Sequence, residues 1–169
     1  MSLAPIVLFA YNRLEHLKKT INALQKNILA LDSELYIFSD GAKNEETLQQ
    51  INKVREYIKT ITGFKSITII ERKENLGLAN SIISGVTEIV NKYGKIIVLE
   101  DDMVTSRHFL KYMNDALDYY ENENRVIGIH GYIYPVKKEL PNTFFIKGAD
   151  CWGWATWKRG WDLFEHDGK

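Results

Sequence analysis

The chain has 169 residues, which is enough for one well-packed domain and short for two. Its 22 Lys and Arg residues balance its 22 Asp and Glu residues, so no net charge draws it to nucleic acid. No apolar stretch reaches the roughly 18–20 residues that span a bilayer, no segment has the pattern of a secretory signal, and the single cysteine excludes an internal disulfide. These features favour a cytoplasmic protein, with peripheral membrane association left open.

Strand-like and helix-like segments alternate along the first hundred residues. Short apolar runs predict strands at 6–10, 35–38, 67–70 and 96–99. Apolar residues spaced by three and four predict helices over 14–28, 48–61 and 82–90, the last ending at Gly94. This alternation predicts an α/β fold with a three-layer, mostly parallel central sheet and helices on both faces.

The remaining third of the chain is less regular. We predict a helix over 109–117 with Ser106 as its N-cap, and strands over 126–130 and 144–147. The segment 134–142 contains two prolines and is predicted to be a mobile loop. A closing helix is predicted from the spacing of Trp154, Trp157, Trp161 and Phe164, a stripe that favours core packing over a sugar platform.

Polar residues follow the first two strands. In a parallel sheet such strand ends line one edge, where ligands bind. There Tyr11 could stack on a base, Arg13 could contact a phosphate or base, and Asp40 could accept from a base or ribose. Two structural alternatives remain open, since Asn12 could cap the first helix and Asp40 could serve only as turn chemistry.

Three consecutive acids, Glu100, Asp101 and Asp102, follow the fourth strand directly. Adjacent carboxylates raise one another's pKa unless a cation is present. Mg²⁺ or Mn²⁺ holding a diphosphate would make the cluster favourable, with Asp102 as the metal ligand because the last acid projects farthest from the strand. The alternative is a solvated loop before a helix N-terminus.

Two further segments are candidates for ligand contact. Leu76 and Gly77 lie between the third strand and its helix, where a glycine permits close approach of backbone to a ligand or simply forms the helix entry. Trp152 and Gly153 precede the tryptophan stripe, so they are freer to face a sugar. The histidines show no zinc-ligand spacing, and His130 is favoured as a structural histidine.

Four of these segments, taken together, resemble the GT-A glycosyltransferases, and particularly family-2-like sugar transferases similar to the N-acetylglucosaminyltransferase I type. The matching residues are 5–13, Ser39-Asp40-Gly41 with Glu45-Glu46-Thr47, Glu100-Asp101-Asp102 and Trp152-Gly153-Trp154. The resemblance covers nearly the whole chain. It implies a Rossmann-like nucleotide-diphospho-sugar-binding domain over 1–169, expected to be the N-terminal part of a longer glycosyltransferase.

The resemblance also implies roles for individual residues. Asp102 would hold Mn²⁺ or Mg²⁺. Nucleotide contacts would come from Ala10, Tyr11, Asn12, Arg13, Asp40, Leu76 and Gly77, and donor-sugar contacts from Glu100, Asp101, Trp152, Gly153 and Trp154. The catalytic base is expected beyond residue 169, because the only acids after the tryptophan segment, which have no recognisable context, are Asp162, Glu165 and Asp167.

The predicted activity is metal-dependent, inverting transfer of a sugar from a nucleotide-diphospho-sugar to a glycan or other hydroxyl acceptor. A UDP-sugar is the favoured donor because, by the resemblance, Asp40 would contact a uracil. A sugar-phosphate nucleotidyltransferase is an alternative, disfavoured because residues 11–14 replace the glycine-rich loop that it needs. A non-catalytic nucleotide-sugar-binding module is the other alternative.

Overall fold

A six-stranded sheet organises the chain in the computed structural model, which describes residues 2–166. The strands are β1 Ile6–Ala10, β2 Glu34–Ser39, β3 Ser66–Glu71, β4 Lys95–Glu100, β5 Gly128–His130 and β6 Trp154–Trp157. Their order across the sheet is β3-β2-β1-β4-β6-β5. The first four strands are mutually parallel, whereas β6 runs antiparallel to both β4 and β5.

Helices cover both faces of the sheet. They are α1 Leu14–Gln25, α2 Glu45–Ile58, α3 Gly77–Tyr93, α4 Phe109–Tyr119 and the one-turn α5 Lys158–Trp161, with a 3₁₀ turn at Ala30–Asp32. Alternate side chains of β1 enter two separate hydrophobic clusters, one shared with α1, α2 and α4 and the other with α3. The mostly parallel, three-layer α/β prediction is therefore confirmed.

Local sequence signals account for several helix boundaries. The α2 helix begins with a capping box, in which the Asn44 side chain accepts from the Thr47 N–H and the Thr47 hydroxyl accepts from the Asn44 N–H. The α3 helix ends at Gly94, whose φ of +77° is a left-handed conformation that favours glycine. Within the helices, apolar side chains pack against the sheet. In β1, for example, every residue is buried.

Three predicted helix boundaries were wrong, and one of them is the end of α2, which lies at Ile58 rather than at residue 61. The α1 helix ends at Gln25, three residues earlier than predicted, and Ile28 lies beyond it with 45% of its surface exposed. The α4 helix has His108 at its N-cap position, without a side-chain cap, and Ser106 contributes only its carbonyl oxygen to the Phe109 N–H. These errors arose because periodicity and capping preferences do not show where tertiary packing stops a helix.

The last part of the chain differs most from the prediction. Residues 144–147 form no strand, and the predicted fifth strand is reduced to Gly128–His130. Trp154–Trp157 is a strand paired with β4 and β5 rather than a helix, and only Lys158–Trp161 is helical. A strand followed by one helical turn produced the spacing that suggested a continuous helix. Residues 134–142 form no helix or strand, and their mobility stays a prediction.

The tryptophan stripe is nevertheless mostly packed. Trp157 is 5% exposed, and its indole N–H donates to the Leu117 carbonyl at 3.1 Å. Trp161 stacks on Trp154 and on Phe164, with ring centroids 5.9 and 4.7 Å apart. Among residues 2–166, no helix combines the length and the apolar character that crossing a membrane requires.

Candidate functional site at the carboxyl edge of the sheet

The strand ends that were expected to converge do lie side by side. Strand β1 is the neighbour of both β2 and β4, with Ala10 in register with Ser39 and Phe9 in register with Glu100. The residues that follow these three strands therefore share one edge of the sheet. This is the edge at which open α/β sheets bind ligands.

Arg13 connects the end of β1 to the acids after β4. Its guanidinium donates to Asp101 and also to Asp102, the latter with 2.9 Å between Nη1 and Oδ2. The Tyr11 backbone N–H donates to Asp101 Oδ2 at 3.3 Å. Because the Asp101 side chain is only 4% exposed whereas those of Arg13 and Asp102 are 45% and 40% exposed, the cluster has a buried base and an open outer side.

The segment Glu100-Asp101-Asp102, which we call the acid loop, is also attached to α1. Thr20, a fully buried residue of that helix, donates its hydroxyl to the Asp101 backbone carbonyl at 2.9 Å. The side chain and the backbone of Asp101 are thus both held by elements that follow β1. Because both its side chain and its backbone are held, Asp101 keeps its neighbours Glu100 and Asp102 in fixed positions.

The cluster retains uncompensated negative charge. Burial raises the pKa of Glu100, and the charges of Asp102 and Asp101 raise it further. Burial also raises the pKa of Asp101, although Arg13 opposes that increase. The Glu100 carboxylate accepts no hydrogen bond from residues 2–166. One guanidinium faces three acids, so the site favours a further cation.

The residues present fit a divalent ion held in part by its ligand. No group of three or more His, Cys, Asp or Glu side chains among residues 2–166 is arranged as a complete metal site. However, Mg²⁺ commonly binds through one or two carboxylates and completes its shell with substrate phosphates and water. Asp102 has one oxygen bonded to Arg13 and its other oxygen unpaired within the described chain, which suits such a single contact.

Asp40, on the other side of β1, has a different environment. It is 5% exposed, and its carboxylate accepts the backbone N–H groups of Gly41, Leu76 and Gly77 at 3.0 to 3.1 Å. These bonds attach the start of α3 to the end of β2. Asp40 does bond its own neighbour Gly41, as the turn alternative expects, but its longer-range bonds to α3 were not predicted, and its contact with a nucleotide stays a prediction.

Gly41 and Arg55 complete this attachment. A Cβ at Gly41 would overlap the backbone of Glu74, so only glycine lets the two segments approach this closely. The Arg55 guanidinium donates to the carbonyls of Asp40 and Arg72, at 3.2 and 2.6 Å. Sequence reasoning missed Arg55. Its position four residues after the buried Ile51, on the inward face of α2, was the available signal.

The Trp152 loop lies next to the acids. Strand β6 runs antiparallel to β4 with Trp154 opposite Val98, so the residues that precede Trp154 lie beside the end of β4, where the acids begin. Trp152 is 49% exposed and lies against Tyr132, with ring centroids 4.7 Å apart. The side of the site beyond β4 is therefore aromatic and open to solvent.

Gly153 and Trp154 have structural contacts of their own. Gly153 has a φ of +74°, and a Cβ there would meet the Phe109 ring at 3.2 Å. Its carbonyl accepts the Gly131 N–H at 2.9 Å. Trp154 packs on Trp161 against the α3 side of the sheet. Sugar contacts by both residues stay predictions.

The described side chains of the remaining candidates form no hydrogen bond with the acids. Asn12 does not cap α1, because its side chain instead donates to Gln50 at 2.8 Å. The Tyr11 hydroxyl is buried without a partner in the described part of the chain, an arrangement that a bound ligand could relieve. Asp162 pairs with Lys158 at 2.6 Å, and Asp167 lies outside the described residues.

The topology defines a GT-A, Rossmann-like α/β domain, with an acidic loop at the carboxyl edge of its parallel strands. Residues 6–162 match the family described as glycosyl transferase family 2. The chain belongs to this family. The particular resemblance to the N-acetylglucosaminyltransferase I type stays a prediction. No curated protein sequence matches the chain.

Several solved structures resemble the chain at low sequence identity. TarS of S. aureus shares 15% identity over 70% of this chain and 20% of its own, with a TM-score of 0.48. A mannosyltransferase of Pyrobaculum calidifontis, solved with GDP-Man and Mn²⁺, shares 12% identity over 75% of this chain and 34% of its own, also with a TM-score of 0.48. A cytidylyltransferase of Leptospira borgpetersenii shares 12% identity over 76% and 53%, with a TM-score of 0.46. The chain thus spans about a fifth to a half of these proteins.

Proposed function

We propose that the chain is the donor-binding domain of a metal-dependent glycosyltransferase that uses a nucleotide-diphospho-sugar, with UDP-sugars favoured. The observation that carries this proposal is the acid cluster at the edge of the sheet in a member of glycosyl transferase family 2. Its excess negative charge, adjacent to the end of β1, suits a cation and, through it, a diphosphate.

The nucleotide would lie along the ends of β1 and β2. Ala10, Tyr11 and Asn12 would line the base and ribose, and the exposed face of the Arg13 guanidinium would contact phosphate. Asp40 already accepts three backbone N–H groups, so it acts first by holding Leu76 and Gly77 beside this edge. A uracil N–H contact to Asp40 would replace one of those bonds.

Asp102 would hold Mn²⁺ or Mg²⁺ together with the donor diphosphate. When bound, the ion would neutralise the negative charge that develops on the leaving nucleotide diphosphate. Asp101 would keep Arg13 and the Tyr11 backbone in place, since its own carboxylate is buried and occupied. The Glu100 carboxylate, with no hydrogen-bond partner among residues 2–166, is suited to accept from a ribose or sugar hydroxyl.

The reaction would be displacement at the anomeric carbon through an oxocarbenium-like transition state. Trp152, Gly153 and Trp154 would flank the donor sugar at the β6 side of the acids. A carboxylate base would take the proton of the attacking hydroxyl and give inversion. That base is proposed to lie beyond residue 169, and the domain to form part of a longer transferase.

Calorimetry against UDP, GDP, dTDP and CMP, each with and without Mn²⁺, tests this proposal. We expect UDP to bind most tightly and its affinity to depend on Mn²⁺. Absent binding, or binding of all four nucleotides without any effect of Mn²⁺, would overturn the assignment. Release of pyrophosphate from a nucleoside triphosphate would instead favour a nucleotidyltransferase, and donor binding without turnover in the full-length protein would favour a binding module.

A further inference from the structure

A surface concavity lies between α1 and the segment that follows Asp102. It has a cavity volume of about 510 Å³ and is lined by Lys19, Asn22, Ala23, Lys26, Val104, Thr105 and Arg107. We call these seven residues the basic groove. One wall is the outer face of α1, and the other is the segment that follows the acid loop. Three of the seven side chains are cationic, and none is acidic.

The walls of the groove are fixed to each other by the buried Asn27. Its side-chain amide donates to the Thr105 hydroxyl at 3.1 Å, and its amide oxygen accepts the Leu110 N–H at 2.9 Å. The Ile28 N–H also donates to the Arg107 carbonyl at 3.2 Å. The groove is therefore a preformed feature of the fold, which lowers the entropic cost of binding a ligand there.

The cations of the groove form no direct ion pair, although the charge of Glu15, which is bonded to Lys18, also acts on Lys19. Within the described residues 2–166, the side chains of Lys19, Lys26 and Arg107 form no salt bridge and donate no hydrogen bond. Another depression, of about 240 Å³ between α2 and β3, differs from the basic groove in the pairing of its charges. There Lys59 and Arg55 lie 2.8 and 3.7 Å from Glu71, so its charges are already paired.

The chemistry of the groove matches a phosphate group on an organic ligand. Arg107 offers a planar fork and the two lysines offer ammonium groups, all of which bind phosphate oxygens. The Thr105 hydroxyl accepts a hydrogen bond from the Asn27 amide, so the hydroxyl proton of Thr105 is available for donation to a ligand. Ala23 and the 70% exposed Val104 supply apolar contact for a carbon skeleton. The concave shape suits a discrete ligand better than a flat membrane surface.

We propose that the basic groove binds a phosphorylated ligand that is separate from the nucleotide donor. The groove adjoins the acids of the proposed donor site, because its wall at residues 104–107 starts two residues after Asp102. This ligand would therefore be a phosphate-bearing acceptor. The acceptor role rests on the proposed function, whereas phosphate binding by the groove does not.

Titration of the full chain with glycerol 3-phosphate, without Mn²⁺, tests the proposal. The variant K26Q/R107Q removes two of the three cations, and K18Q is the matched control because Lys18 is on the same helix but paired with Glu15 at 2.7 Å. We expect the double variant to bind about tenfold more weakly or worse. K18Q should bind like the wild type, and all three proteins should keep the same melting temperature and the same Mn²⁺-dependent affinity for UDP.

The other outcomes are decisive in different ways. No binding of glycerol 3-phosphate, or equal losses in K18Q and K26Q/R107Q, would overturn the groove. Loss of UDP binding in the double variant would show that the phosphate was entering the donor site. Binding only to vesicles containing phosphatidylglycerol, compared with pure phosphatidylcholine, would replace the proposal with membrane docking. If the wild type bound glycerol 3-phosphate but not UDP, the proposed donor site would be refuted, whereas phosphate binding by the groove would be supported.

Discussion

Two acidic positions on either side of β1, Asp40 and Asp102, have opposite environments. The Asp40 carboxylate is buried and surrounded by three backbone N–H donors. The Asp102 carboxylate is 40% exposed, shares one guanidinium with Asp101 and keeps an unpaired oxygen within the described chain. Both acids follow a strand in the sequence, so their different environments come from the segments that the fold places beside them.

The difference separates two uses of a carboxylate at the same edge. A carboxylate whose acceptor sites are filled by backbone fixes a loop, and its loss leaves several buried donors unpaired. A carboxylate with spare acceptor capacity beside other negative charges contributes little to the fold and is available to a cation. Asp40 therefore fixes the backbone at this edge, whereas the carboxylate of Asp102 is proposed to bind the metal ion.

The largest expected effect follows replacement of Asp102. Asp102→Ala should lower the affinity for UDP in Mn²⁺ by at least about a hundredfold, to the value measured without metal. The melting temperature should barely change because the side chain is exposed. Asp115→Ala, which removes another exposed, ion-paired aspartate, is the control for calorimetry. An unchanged dependence on Mn²⁺ in Asp102→Ala would reassign the metal ligand.

Replacement of Asp40 should act on stability. Asp40→Ala leaves the N–H groups of Leu76 and Gly77 without their acceptor, and we expect a loss of about 2–3 kcal/mol in the free energy of unfolding. Asp40→Asn keeps a neutral acceptor and should lose less. Urea denaturation measures both variants. If Asp40→Ala were as stable as Asp102→Ala, the contrast between the two positions would be wrong.

Removal of one charge from the acid cluster should stabilise the fold. Glu100→Gln relieves the burial and repulsion that raise the pKa of Glu100, and we expect a gain of up to about 1 kcal/mol at neutral pH. Because the folded pKa is raised, the penalty is absent below the unfolded pKa and complete only above the folded one. The gain should therefore disappear in thermal unfolding at acidic pH, and a gain that persists there would have another cause.

The smallest expected effect is a pH dependence of donor binding. The raised pKa values of Glu100 and Asp101 mean that acidification protonates the cluster earlier than ordinary carboxylates. Affinity for UDP with Mn²⁺ should fall a few-fold as the pH is lowered toward that range, whereas affinity without Mn²⁺ should change less. Calorimetry at several pH values measures both. If the affinity for UDP fell equally with and without Mn²⁺, the acids would not act through the metal.

The sequence by itself located the four parallel strands and the polar residues at their ends. Buried parallel strands are short runs of apolar residues, so their positions and the acids that follow β4 can be read locally. The common edge of Arg13, Asp40 and Asp102 then followed from the geometry of parallel sheets. These inferences needed only the alternation of strand and helix.

The tertiary structure alone decided the features that depend on distant partners. Trp154–Trp157 is a strand because β4 and β5 pair with it, and this pairing overrides its helix-like spacing. Asp40 became a loop anchor because Leu76 and Gly77 return to it. The basic groove joins α1 to residues about eighty positions later. Local preferences amount to a few tenths of a kcal/mol per residue, so burial and hydrogen bonding between remote segments determine such features.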